Sequence, residues 1–289
     1  MIVQNKYKKE KIKYRGEYRK KFQHEKEWRE EIMIFYFTAT GNSLYIAKEL
    51  EKNPISIPQV IKKKEQFYKD DKIGIVAPIY GHEMPELVKQ FIKSATFQTD
   101  YFYIVLTYGN RHGGAAELAN NFCKECGVHV DYLNLIQMVD NWLPSFDMEE
   151  QKKIDKHIDQ NLLKIINDIQ FNKKEIQPVT DSDRQAHDQY LERRSKMPSD
   201  LFQHLYHVNN DCVGCGICTQ VCPTGCISLN NNKVIYDMSN CQTCMACIHN
   251  CPQKAIQLNI PEKNPKARFR NDKIKIQEVM EANKQVAMK

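Results

Sequence analysis

Short apolar runs alternate with helix-spaced apolar positions from residue 32 to about residue 169. Ile32–Phe37 is a continuous apolar run, as a strand buried on both faces requires. Leu44, Ala47 and Leu50 keep helical spacing until Asn53-Pro54 stops it. Ile73–Ala77 predicts the next strong strand, and Leu87, Val88, Phe91 and Ile92 mark a helix face with Pro85 tolerated in its first turn. Tyr101–Leu106 reads as strand; Ala115, Leu118, Phe122 and Cys126 line a helix closed by Gly127; Val128–Met138 reads as the last strand. Asp147 and Glu150 have capping-box spacing and open a helix whose Ile154, Ile158, Leu162, Ile165 and Ile169 form one apolar stripe. For a second strand the chain offers only Pro54–Ile57. Repeated βα units with long crossovers imply an α/β fold, a doubly wound parallel sheet.

Beyond residue 169 the pattern changes. Residues 170–207 are polar and charged, with a helix predicted near Asp183–Lys196, and read as a connector. A compact cysteine-rich segment fills 208–260, and a basic tail, 261–289, ends in a predicted helix at Lys275–Lys284. At 289 residues and 42% hydrophobic, the chain can build cores for about two domains, which excludes a fully disordered or collagen-like protein. The longest apolar runs fall far short of the eighteen or so residues a membrane span needs, and the first thirty residues hold no signal-peptide core. A cytoplasmic protein is expected.

The net charge of +6 sits almost wholly at the N-terminus. Residues 1–32 hold eight Lys, three Arg and six Glu, and the remaining residues are +1. A basic arm for nucleic acid, membrane or an acidic partner is one reading of residues 1–32; a solvated, disordered extension is the simpler one. Met33 stands at the head of the first apolar run, and translation is expected to start there. Eleven cysteines are then the anomaly, since a cytosolic chain of this length does not need them as disulfides.

Eight of those cysteines form a repeat. Cys212, Cys215, Cys218 and Cys222-Pro223 recur 29 residues later as Cys241, Cys244, Cys247 and Cys251-Pro252, and Cys226-Ile227-Ser228-Leu229 aligns with Ala255-Ile256-Gln257-Leu258. That is the spacing of a two-cluster bacterial ferredoxin, in which three close thiolates grip one cubane and the remote fourth cysteine turns back to the other. Cys212, Cys215, Cys218 and Cys251 are expected to hold one [4Fe-4S] cluster, and Cys241, Cys244, Cys247 and Cys222 the second. Zinc, the competing reading of paired CxxC motifs, does not require a third cysteine or a terminal Cys-Pro, twice over. Cys226 reads as a small packing residue beside a cluster. Cys123 and Cys126 end a helix rather than start one, which suits buried structural thiols better than a redox pair.

Directly after the first strand come Thr38, Ala39, Thr40, Gly41, Asn42 and Ser43, running into a helix. A strand–loop–helix start collects backbone N–H groups and the helix dipole for a phosphate, and the three hydroxyls add donors. The segment matches neither GxxxxGK[ST] nor GxGxxG, so ATP and NAD are poorly supported. No lysine follows to pair a polyphosphate. The single phosphate of FMN suits such a cradle.

With these residues in view, Tyr36–Ser43 resembles the flavodoxin phosphate loop, T-x-T-G-N-[ST]. Pro78, Ile79, Tyr80 and Gly81 resemble its first flavin-ring loop, and Thr107, Tyr108, Gly109 and Asn110, with Gly113-Gly114, its second. A flavodoxin-like domain followed by a small α+β bacterial ferredoxin-type 2[4Fe-4S] domain resembles the ferrodoxin family of anaerobic bacteria. The resemblance covers roughly residues 33–289, including Asn141-Trp142-Leu143-Pro144 and Arg268-Phe269-Arg270-Asn271. It implies FMN between the loops after strands three and four, at the sheet's switch point. It also implies that Tyr80 and Tyr108 stack on the ring or pack a loop, and that Gly81 permits a peptide flip. A cation such as Arg111 or His112 near the ring would raise the flavin potential. His82 reads as an ordinary loop histidine.

The expected organisation is a basic extension (1–32), a flavodoxin-like domain (33–169), a connector (170–207), a 2[4Fe-4S] ferredoxin domain (208–260) and a tail (261–289). The expected function is electron transfer between FMN, two [4Fe-4S] clusters and a redox protein partner: a ferredoxin, reductase or oxidoreductase. The alternatives are a flavin-dependent reductase of a small molecule fed through the clusters, with Trp142 and the connector forming a pocket, and a cluster-bearing sensing or structural module. Two cubanes at about −2 each and an FMN phosphate at about −2 would bring residues 33–289 to about −5. A nucleic-acid role loses its support.

Overall fold

A computed structural model of the protein describes residues 32–284; the basic extension and the Met33 start concern residues outside that range, apart from Ile32 and Met33 themselves. From Ile32 onward the chain forms one compact unit. Its elements in order are β1 (Ile32–Tyr36), α1 (Asn42–Leu50), β2 (Ile55–Ser56), α2 (Ile57–Val60), β3 (Phe67–Lys69), β4 (Lys72–Pro78), α3 (Glu86–Ser94), β5 (Thr96–Gln98) and β6 (Tyr101–Tyr108). There follow α4 (Ala115–Glu125), β7 (Tyr132–Gln137), α5 (Met148–Gln151), α6 (Ile158–Gln170), β8 (Glu175–Ile176), α7 (Asp181–Ser195) and β9 (Tyr206–Val208). The chain continues through α8 (Ile217–Gln220), β10 (Ile227–Asn230), β11 (Lys233–Tyr236), α9 (Ala246–Asn250), β12 (Ile256–Leu258) and α10 (Ile276–Asn283).

Six parallel strands run in the order β2-β1-β4-β6-β7-β8. The continuous apolar runs follow from burial on both faces. Along β1 and the next residue, Ile34 and Tyr36 point into one core, and Phe35 and Phe37 into the other. In β6, Tyr101, Tyr103 and Val105 join the first core, and Phe102, Ile104 and Leu106 the second. The second core is closed by α2, α3 and α4. The first is closed by α1 and α6, and also by Val221, Ala246, Ile274, Val279 and Ala282 from the C-terminal third. The cysteine-rich domain and the tail are therefore packed onto the sheet rather than tethered to it.

Several elements differ from the sequence reading. The stripe from Ile154 to Ile169 is not one helix: α5 stops after four residues, and α6 starts at Ile158. The Asp155 carboxylate accepts the His157 N–H (2.9 Å), a local turn that competes with helix continuation, and His157 is left-handed (φ 50°). Ile154 is exposed as a result and Lys156 turns inward. The sixth strand, β8, lies inside the expected connector, and β9 starts at Tyr206, pairing antiparallel with β12. A separate parallel pair, β3 with β5, is invisible in the pattern because three residues cannot show a period.

The expected tail is a strap. The Asn271 N–H donates to the Thr40 carbonyl (2.8 Å), and the Asn271 side chain reaches Asn42 (3.1 Å). Buried Asn283, at the end of α10, donates through Nδ2 to the carbonyls of Thr38 (3.1 Å) and Val221 (2.9 Å), joining the loop after β1 to the residue before Cys222. Asn283→Ala leaves two buried carbonyls without that donor, at about 1–3 kcal/mol. A fall in Tm with looser FMN is expected by calorimetry and fluorescence titration; an unchanged Tm contradicts the bridge.

Candidate functional site

The loops at the carboxyl ends of β1, β4, β6 and β7 open onto a cavity of about 590 Å³. Thr38, Ala39, Thr40, Asn42 and Ser43 line one part of it; Pro78, Ile79, Tyr80, Gly81, Tyr108, Gly109 and Asn110 line another. Of the residues the sequence singled out for this site, Gly41, His112, Gly113 and Gly114 do not line it. Gly41 backs the loop in the left-handed region (φ 95°), where a Cβ would lie 3.0 Å from the Ile274 Cβ. Gly113 (φ 48°) lies against the His82 ring.

The first loop suits a phosphate. Its hydroxyl residues are buried, and α1 starts inside it with first-turn amides that have no intrahelical acceptor. The Gly41 N–H donates to Thr38 Oγ1 (3.1 Å), Ser43 Oγ and Thr107 Oγ1 share a hydrogen bond (2.9 Å), and Asn141 Nδ2 donates to Thr40 Oγ1 (2.8 Å). Around the ring loops the Tyr80 hydroxyl is buried and, among the described residues, without a hydrogen-bond partner. Asp140 fixes the second ring loop and the Trp142 turn together: its carboxylate accepts the N–H of Asn110 (2.8 Å) and of Trp142 (3.0 Å). Burial pushes its pKa up, against those bonds and Lys156. The donor set and the gap fit FMN.

The cavity's outer wall comes from Trp142 and the connector, the segments the small-molecule alternative draws on for a pocket. Tyr190, Arg193 and Arg194 of α7, with Met197, Phe202, Trp142 and Phe146, complete it. Helix α7 is highly polar and buries none of its residues, so no apolar face marks its contact. It is held at its edge instead: His187 Nδ1 lies 3.4 Å from His82 Nδ1, Arg184 pairs with Glu117 (2.7 Å), His112 Nε2 approaches Asp183 (3.6 Å), and Tyr190 covers Gly81. His82 is therefore one of the contact points of this helix and not an ordinary loop histidine.

Burial, then His187, His112, Arg111 and Arg193, lower the His82 pKa from 6.5 to about 4. A folded value below the unfolded one means that the neutral ring is favoured. Its contribution to stability is complete above about pH 6.5 and is lost as pH falls toward 4. Thermal unfolding across that window should show a shallower acid limb for His82→Gln than for the wild type; identical limbs contradict it.

The cysteines gather in two further cavities. One is lined by Cys212, Cys215, Cys218 and Cys251, the other by Cys241, Cys244, Cys247 and Cys222. Each holds three cysteines of one comb and the fourth of the other, the crossed sets expected from the spacing. Among the described residues no three His, Cys, Asp or Glu side chains converge on a single ion. Two sets of four thiols, each around one cavity, are the ligand complement that two cubanes require. Burial pushes the Cys218 thiol up to about 11 and the Cys244 thiol to about 12. Cys226 shares the second cavity, its Sγ 3.4 Å from that of Cys222. Cys123 is fully buried, which pushes its thiol up to about 12 and leaves it a packing group.

The flavin-type cavity and the second cysteine cavity share a wall. Thr243, Cys244 and Met245 line the first, and Cys244 and Met245 also line the second. Helix α9 is fastened there. The Phe269 N–H donates to His249 Nδ1 (3.1 Å), so His249 Nε2 carries the proton and donates to the Asn141 carbonyl (2.8 Å). Asn250 Nδ2 reaches the Ala39 carbonyl (3.4 Å). Burial lowers the His249 pKa to about 4, which keeps the ring neutral for that role.

Known families match both halves: a flavodoxin domain over residues 33–135 and a 4Fe-4S dicluster domain over residues 204–266. Over 66 residues the chain is 33% identical to an uncharacterized ferredoxin of Methanocaldococcus jannaschii, covering 22% of this chain and 86% of that one. Over 47 residues it is 43% identical to one component of an ion-translocating oxidoreductase complex of Methanosarcina acetivorans, covering 16% of this chain and only 18% of that protein. The solved Trp repressor binding protein from Bacillus subtilis aligns at 12% identity with a TM-score of 0.31, covering 48% of this chain and 98% of that one. No helix among the described residues is long and apolar enough to cross a membrane. FMN and two [4Fe-4S] clusters are the cofactors, and electron transfer is the activity these domains serve. The chain belongs to the ferredoxin family through its 4Fe-4S dicluster domain, fused in one polypeptide to a flavodoxin domain.

Proposed function

We propose that the protein is an electron carrier linking FMN to a redox protein partner through its two clusters. The observation that carries this reading is the wall at Cys244, common to the flavin-type cavity and one cysteine cage. Clusters pass single electrons and FMN holds one or two, so the pair matches one-electron to two-electron chemistry.

The residues divide the work. Thr38, Ala39, Thr40, Gly41, Asn42 and Ser43 hold the phosphate. Pro78, Ile79, Tyr80, Gly81, Tyr108, Gly109, Asn110 and Gly113 form the ring loops. Cys241, Cys244, Cys247 and Cys222 hold the cluster nearer the flavin; Cys212, Cys215, Cys218 and Cys251 hold the farther one. Cys215 is exposed and the neighbouring Val213 is 65% exposed, which favours the Val213–Cys215 loop as the point of electron exchange with a ferredoxin, reductase or oxidoreductase.

Anaerobic reconstitution followed by cofactor analysis tests the loading: one FMN and about eight irons per chain are expected. Reduction of that FMN by a reduced ferredoxin tests the function. Lack of flavin binding, or a loaded protein inert to such donors, overturns it.

Arg111 lines the cavity beside the second ring loop but is exposed. Arg111→Ala should lower the flavin midpoint potential by no more than about 40 mV, since an exposed cation is worth about 1 kcal/mol or less. An unchanged midpoint by potentiometry removes Arg111 from the account. A second reading, reduction of a small molecule at the flavin, is favoured by the outer wall that α7 adds to the cavity.

A further inference from the structure

Helix α7 supplies a wall the flavin loops do not need. It packs no apolar residue into either core, yet its C-terminal turn brings Arg193 and Arg194 to the cavity's rim. Both guanidinium groups are at the ring-loop end, because α7 touches the first ring loop at His82 and Gly81 and the second at His112. The phosphate cradle lies on a different loop and is built of hydroxyls and amides, so these cations are not its donors.

Their hydrogen-bonding capacity is open. Among the described residues neither the Arg193 nor the Arg194 guanidinium has an ion pair or hydrogen bond, and Arg194 Cζ lies 3.7 Å from the centroid of the Phe202 ring. A cation–π contact uses none of the five guanidinium N–H donors, which stay available to a bidentate oxyanion. Asp140, the one carboxylate among the described residues that line the cavity, is engaged by the N–H groups of Asn110 and Trp142. Trp142, Phe146 and Phe202 give this end flat apolar walls.

We propose that the outer part of the cavity is a binding site for a small planar carboxylate, its ring between the aromatic walls and its carboxylate on Arg193 and Arg194. The inference rests on FMN occupying the inner part. The aromatic walls select a flat apolar body, and the free N–H forks select its anionic end. Oxyanion binding at this rim is independent of the phosphate cradle, so it does not compete with FMN.

The test uses the full chain loaded with FMN and both clusters, with benzoate as the probe. Benzoate should perturb the visible flavin band saturably and give a matching calorimetric isotherm. The neutral isostere benzamide, inorganic phosphate and the R193Q/R194Q variant should each bind about tenfold more weakly or worse, having lost a charge-assisted bidentate contact or the apolar body. A flat response to benzoate overturns the proposal, as does equal binding of benzamide or phosphate, or an unaffected variant. FMN content measured in the same samples separates the two readings. A chain that takes up no FMN fails the electron-carrier account; a chain that holds FMN but ignores benzoate fails only the carboxylate site.

Discussion

Cys222→Ala will strip the cluster held by Cys241, Cys244 and Cys247 and leave the cluster held by its own sequence neighbours. Cys222 follows Cys218 by four residues, yet it lines the cavity of the other comb, while Cys251 lines the cavity of Cys212, Cys215 and Cys218. Iron per chain should fall from about eight to about four. The EPR spectrum of the reduced variant should match that of Cys241→Ala and differ from that of Cys212→Ala. Cys251→Ala should give the complementary result. A Cys222→Ala protein that resembles Cys212→Ala instead would mean that each comb closes on itself, and the crossed arrangement would fall.

Gly41→Val should abolish flavin binding while sparing the clusters. Gly41 sits at φ 95°, a region that costs a branched residue about 1–3 kcal/mol. Its Cβ would also lie 3.0 Å from the Ile274 Cβ and 3.2 Å from the Asn271 Cβ. These two residues belong to the strap that clamps the phosphate loop, so the loop cannot move aside without lifting it. The expected outcome is loss of FMN from the reconstituted protein, a lower Tm, and iron still near eight per chain. FMN bound at wild-type affinity contradicts the cradle.

The site was legible where chemistry depends on spacing along the chain. Eight cysteines at fixed intervals point to two crossed sets of four, and the same crossed sets line two cavities. The hydroxyl-rich loop after an all-apolar strand points to a phosphate site, and it lines the gap between the sheet's loops and the cysteine-rich domain. Contacts made only by folding were not legible. Asn271 and Asn283 sit in a basic tail with nothing to tie them to Thr38 or Thr40, more than two hundred residues earlier. Arg193 and Arg194 belong to a helix without an apolar face, so the pattern that exposes packing helices is silent about it. Between α5 and α6 the Asp155 carboxylate accepts the His157 N–H, a local bond that takes the place of a helical one despite a good apolar stripe.

The charge is legible in a different way once the cofactors are counted. The basic excess lies outside the described residues, in 1–31, whereas the segment that holds the anionic cofactors is nearly neutral in its side chains. Loaded with its cofactors, the segment 33–289 carries about −5 and the whole chain, +6 from its side chains, comes to about zero.

The central claim is that the cage containing Cys244 lies on the electron path to the flavin. Its most direct test is the rate of FMN reduction by a reduced ferredoxin, measured anaerobically by rapid mixing in the wild type and in Cys222→Ala, both loaded with FMN. The account predicts fast reduction in the wild type and a rate lower by orders of magnitude in the variant, with its remaining cluster still reduced by the donor. An unchanged rate in a variant shown to lack that cluster would contradict it.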